Sequence, residues 1–179
     1  SRNPRSTVGT VTEIYDFMRL LYARTGEAYS YLSGDKMVRQ SEDQILDTIL
    51  NNLKAKKLIL LAPIVKGRKG HYRELFQQVR KQGYTKVRVD GELLDITAKM
   101  QVDRYKIHDI EVVVDRIVAD GKDRVRIGHS INKGLKEGKG VVMVMEEDGK
   151  VHHFSKFLME PKTGLSYDEP APNTFSFNS

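Results

Sequence analysis

Apolar residues along the chain change period several times, and each change marks an element. After a polar start containing Pro4 and Gly9, Ile14, Phe17, Met18, Leu21 and Tyr22 recur at helical spacing, with Thr10 or Thr12 as a cap and Gly26 as a stop. That pattern predicts a helix over residues 10–25. Residues 27–40, with Gly34 at the centre and Tyr29 alternating with Tyr31, read as a short hairpin or loop. Ser41 followed by Glu42, Asp43 and Gln44 is a hydroxyl cap with early acids and a capping-box Gln, and Ile45, Ile49, Leu50 and Leu53 supply the apolar face of a helix over 41–54.

Beyond Lys57 the helical period gives way to a continuous apolar run, Leu58 to Val65, which has strand length and carries Pro63 near its end. Tyr72, Leu75, Phe76 and Val79 then define one helix face that Gly83 closes, and Lys86–Asp90 alternates charge with valine before Gly91 turns the chain into residues 92–96. Ile110–Val118 reads as a second buried strand. A helix over 123–137 follows the Asp120-Gly121 turn and ends at Gly138 and Gly140. Val141–Met145 is a further strand, returned as 151–157 through the two-residue hairpin signal Asp148-Gly149. The middle of the chain therefore follows the β-α-β-β-α-β order of a split βαβ unit, a small mixed or antiparallel sheet with helices on one face, in the α+β class. Residues 160–179, with Pro161, Pro170, Pro172 and Gly164, read as extended chain.

Composition narrows the chemistry. Zero cysteines remove disulfides, thiol catalysis and every cysteine-based metal site. No apolar run reaches the roughly 20 residues that cross a bilayer, and the amino end has no secretory h-region, so no membrane partner and a cytoplasmic location are expected. The net charge of +6 lies entirely in Lys56–Arg116, where 14 Lys and Arg face 8 Asp and Glu, the remainder being balanced at 16 each. A basic segment of this kind suits an acidic protein surface or nucleic acid, or serves only to keep the surface solvated.

No catalytic constellation emerges from the spacing. Gly138-Lys139 is the nearest approach to a P-loop, but Lys133 stands where the first glycine belongs and Gly140 where the hydroxyl belongs. None of His71, His108, His129, His152 and His153 is paired at helical spacing for a metal, and they read as surface groups. What remains is binding. Period-two geometry places Lys86, Arg88 and Asp90 on one strand face with Val87 and Val89 opposite. Arg116 interrupts a run of valines. Lys66, Arg68 and Lys69 form a basic loop ahead of a helix, where cations and backbone amides suit an anion. An RNA-recognition module shares this strand order, yet 58–65 and 110–118 contain none of the aromatic residues on which such modules stack bases.

Five stretches resemble the UvrA family, the A subunit of the bacterial UvrABC excision-repair system, in order along nearly the whole chain: NPRSTVGTVTEIYDFMRLLYAR from Asn3, LLAPIVKGRKGHY from Leu60, KQGYTKVRVDGE from Lys81, HDIEVVVDRIV from His108 and FSFNS from Phe175. The resemblance implies a piece of a dimeric, damage-sensing ABC ATPase that hands damaged duplex DNA to UvrB. Residues 1–40 and 156–179 would be segments of the signature-domain region, flanking helices included, and 41–155 the inserted UvrB-binding domain. Both chain ends are expected to be internal to a longer parent.

The parent's ATP, magnesium and zinc chemistry is expected to lie outside this piece, which lacks Walker A, Walker B and the ABC signature. Where many members carry a zinc-binding Cys-Pro-x-Cys-Gly, this chain has Glu160-Pro161-Lys162-Thr163-Gly164, and residues 26–36 lack the family's cysteine pair. The family's UvrB-docking positions fall on Lys86, with Arg88 beside it, and on Arg116, with Asp90 and Glu92 adding register. Lys66, Arg68 and Lys69 are further partner or anion contacts. The transcription-repair coupling factor, which contains a UvrB-like module, is a second expected partner. Direct binding of the DNA backbone is the alternative, ranked second because Asp90, Glu92 and Asp115 interleave the basic residues.

Overall fold

The computed structural model describes residues 20–22, 28–30, 36–160, 164 and 166–167. The chain divides into two compact units, Gln40–Phe154 and the combination of Ser1–Arg39 with Ser155–Ser179.

Within the second of these, β1 (Leu20–Tyr22) pairs antiparallel with β2 (Ala28–Ser30). The helix expected over 10–25 is thus replaced by a strand at its end, where cross-strand pairing with Ala28–Ser30 supplies the backbone partners. The rest of that expectation, and of the flanking helical segments, lies outside the described residues.

The larger unit opens with α1 (Glu42–Asn52), and Ser41 caps it as a complete capping box. The Gln44 amide donates to the Ser41 hydroxyl at 3.2 Å and the Ser41 amide to the Gln44 side chain at 2.8 Å, so two amides at the helix start are satisfied. There follow β3 (Lys57–Lys69), α2 (Arg73–Lys81), β4 (Lys86–Val89), β5 (Glu92–Asp95), β6 (Ile107–Val118), a single 3-10 turn (Gly121–Asp123), α3 (Arg124–Glu137), β7 (Val141–Glu146) and β8 (Val151–Ser155). The order is therefore β-α-β-β-β-α-β-β, the expected β-α-β-β-α-β unit with the segments read after the Gly91 and Asp148-Gly149 turns forming the edge strands β5 and β8. The short pair β9 (Leu158–Met159) and β10 (Ser166–Tyr167) belongs to the other unit.

The six strands form one sheet in the order β5-β4-β6-β3-β7-β8. Because β6 is antiparallel to both β3 and β4, those two are parallel and β6 is inserted between them, which is the split arrangement. The same holds for β6 and β7, with β3 inserted.

All three helices cover one face. Phe76 and Val79 of α2 pack with Val87, Val89, Ile110 and Val112, while α1 and α3 pack with Leu58, Leu60, Val142 and Val144. The sheet bends at register shifts between Leu60 and Leu61 and around Pro63, so Pro63 sits at an irregularity and the strand continues past it. At the far edge Glu146 is flanked by Lys56 and His152, whose hydrogen bonds hold its carboxyl down at about 2.

Candidate functional site

Lys86–Val89 presents two faces, as the alternation of charge and valine dictates. Val87 and Val89 enter the core under α2, whereas Lys86 and Arg88 point to the helix-free side of the sheet. Each meets an acid directly across a strand pair: Lys86 Nζ lies 2.6 Å from Asp95 of β5, and Arg88 Nη1 lies 2.6 Å from Glu111 of β6. Glu111 is only 4% exposed. Burial pushes its carboxyl up while Arg88 pulls it back, and the net displacement is upward. Arg88 Nε is also buried and makes no hydrogen bond of its own. Arg116 is exposed on the same side of β6, opposite Ile59 of β3. Leu93, opposite Arg88 on β5, adds exposed apolar surface.

Two expected members of this face are used elsewhere. Asp90 is not in the strand but in the turn after it, with φ +50, and Gly91 follows at φ +87, the geometry of a two-residue hairpin that ordinarily wants Asn-Gly or Asp-Gly. Its carboxylate accepts from the Asp109 amide at 2.8 Å and meets His108 Nδ1 at 2.7 Å. Burial raises the Asp90 carboxyl, but the His108 contact and the Asp109 amide outweigh that and hold it below the usual range.

Asp115 turns toward the helices because the strand is irregular there, and Arg126 at 2.9 Å and Ser130 at 2.7 Å bind it. The acids interleaved with the basic residues are therefore Asp95 and Glu111. Glu92 stays exposed at the start of β5.

His108, read from sequence as a surface group, is buried. Its Nδ1 faces the Asp90 carboxylate and its Nε2 faces the Asp103 carbonyl, both at 2.7 Å. Both partners are acceptors, so the ring meets them fully only as the doubly protonated imidazolium. The Asp90 contact, followed by the Asp103 carbonyl, raises the His108 value. The signal available in the sequence was the Asp90-Gly91 turn, whose carboxylate needs a partner from a neighbouring strand.

The expected basic loop is not a loop. Lys66, Arg68 and Lys69 lie in β3, where Arg68 pairs with His108 and Lys69 with Ile107. The Gly67 amide donates to Asp109 at 2.7 Å, and Tyr72, the residue before α2, has φ +57 and no side-chain cap. A helix start open to an anion is therefore not what these residues form. The exposed cations stand on strand backbone instead.

The donors do not fit the zinc of the resemblance. The chain has no cysteine, and among the described residues no three His, Asp or Glu converge. Among the described residues no helix is long and apolar enough to cross a membrane.

The family described as the UvrA interaction domain matches residues 40–148, which takes in the whole of this face and every strand that builds it except β8. The chain belongs to the UvrA interaction-domain family. It is similar along its full length to the protein named UvrABC system protein A in Deinococcus radiodurans (43% identical), in Thermus thermophilus (44%) and in Bacillus subtilis (45%), and it spans 18%, 19% and 19% of those proteins. The family is one of interaction domains rather than ATPase domains, which agrees with the absence of a nucleotide motif from the sequence.

Proposed function

We propose that the helix-free face of the sheet is a docking surface for UvrB, and that Lys86, Arg88 and Arg116 are its main contacts. The observation that supports this reading most directly is the geometry of the face. Three basic side chains share one side of adjacent strands, alternate with Asp95 and Glu111, and border the exposed Leu93. A surface with both signs in fixed register selects a partner with the complementary pattern, whereas a uniformly positive surface does not.

Arg88 serves two purposes in this reading. Its Nη1 neutralises the buried Glu111, and the part of its side chain that stays in solvent faces the partner. Lys86 and Arg116 are exposed enough to make rim ion pairs of about 0.2 to 1 kcal/mol each, so binding needs several together and weakens with salt. Glu92, exposed at the turn, adds register. By the same logic a UvrB-like module in the transcription-repair coupling factor fits this face. The parent to which the domain belongs would be the damaged-DNA-sensing ABC ATPase of the repair system, with this domain contributing recruitment and no chemistry.

The test is calorimetric titration of the chain with purified UvrB. The double substitution Lys86→Glu, Arg116→Glu should abolish saturable binding and leave the far-UV spectrum unchanged. Wild-type affinity in that variant would refute the assignment.

A further inference from the structure

At the end of the sheet remote from β7, the two central strands continue after their neighbours have stopped. β4 pairs with β6 only as far as Val89 opposite Ile110, and β7 pairs with β3 only over Leu58–Leu61. Arg68 and Lys69, paired with His108 and Ile107, therefore form a two-stranded ribbon that projects from the six-stranded sheet.

This ribbon is braced. Tyr72 donates its hydroxyl hydrogen to the Arg68 and Lys69 carbonyls, which lie 3.1 and 3.0 Å away, and its ring meets His108 edge-on at 6.5 Å. Gly67 is tied to Asp109 across the pair. The approach to β6 adds Arg104, Tyr105 and Lys106, with Tyr105 77% exposed and Ile107 63% exposed.

The acids of the ribbon are engaged within it: Asp109 accepts from the Gly67 amide at 2.7 Å, Asp90 meets His108, and Asp103 accepts from the Tyr105 amide at 2.9 Å. Arg68, Lys69, Arg104 and Lys106 are exposed, and among the described residues none of the four is in an ion pair. A stiff two-stranded ribbon is one of the few elements that enters the major groove of a duplex. Four unpaired cations around an exposed tyrosine hydroxyl match the phosphates on its rims.

We infer that this ribbon binds the sugar-phosphate backbone of duplex DNA, through Arg68, Lys69, Arg104 and Lys106, independently of the UvrB-docking face. Binding is sequence-independent, because the contacts are to phosphate, which carries no sequence information.

The experiment is fluorescence anisotropy of a labelled, undamaged 20-base-pair duplex with the whole chain between 50 and 200 mM salt. Each phosphate contact contributes roughly 0.9 to the slope of log affinity against log salt, so Arg68→Gln with Lys69→Gln, or Arg104→Gln with Lys106→Gln, should each lower the slope by about 2. Each pair should also weaken binding at least about tenfold at 50 mM. The single variants Lys69→Gln and Lys106→Gln, read beside thermal midpoints, give a slope change of about 1 each should a double variant fold poorly. Lys86→Glu with Arg116→Glu should leave duplex binding unaltered.

Three results overturn the inference: no binding by the wild-type chain at 50 mM, an unchanged slope in folded ribbon variants, or ribbon variants that lose UvrB while keeping the duplex. Failure of the docking reading leaves these readouts untouched.

Discussion

At His108, burial alone would favour a neutral ring, yet each ring nitrogen faces an acceptor, and two acceptors need two protons. The charged form is thus built into the turn that joins β4 to β5 and into the base of the ribbon. A raised histidine contributes stability fully below its ordinary value near 6.5 and loses it as pH rises through the folded value. Asp90, held low, contributes above its ordinary 3.8 and loses that as pH falls through the folded value. The pair therefore supports the fold most strongly between those limits. The thermal midpoint of wild type should exceed that of His108→Gln by most near pH 5 to 6, and the gap should narrow by pH 9, as followed by circular dichroism. A gap constant across that range would show that the ring is neutral in the fold. Tyr84 provides a second spectroscopic handle, since burial, with Glu137 nearby, pushes its hydroxyl up to about 12.

Elements announced themselves in the sequence when their signals were local. The Ser41 capping box, the stop of α2 at Gly83 and the end of α3 at Gly138 all rest on residues within one turn of the boundary. Signals that depend on a distant partner were less legible. Lys66–Lys69 read as a loop because Gly67 interrupts it and Gly70 follows it, and only pairing with Ile107 and His108 makes it strand. Lys86 and Arg88 were placed correctly by period two, but Asp90 required knowledge of the turn and Asp115 of the strand irregularity. Glu111, the acid that holds Arg88, was not singled out at all, because it becomes Arg88's partner only once β6 is inserted beside β4.

Gly138 offers a direct test at this scale. A Cβ there would fall 2.0 Å from the Val141 carbonyl oxygen, where the chain leaves α3 for β7. Gly138→Ala must displace backbone, and should lower unfolding stability by about 1 to 3 kcal/mol in urea titration.

For the molecule as a whole, the core clusters under the sheet are built entirely from residues between Ile45 and Phe154. A chain trimmed to 40–154 should consequently unfold in one cooperative, denaturant-induced transition and retain the charged face. A non-cooperative transition would mean that this unit depends on the other. Removing Phe154 as well would open the core, since it packs with Val142, Val144 and the helices.

The interleaving of strands also sets the order of events as the chain is made. The two hairpins, β4 with β5 and β7 with β8, close locally, but β3 must wait for β6, whose first residue is fifty positions beyond its own, and then for β7. Non-local pairing of this kind slows folding. Emerging from a ribosome amino end first, the apolar β3 would stand unpaired on both edges until most of the unit had been synthesised, and during that interval it is the segment most in need of a chaperone.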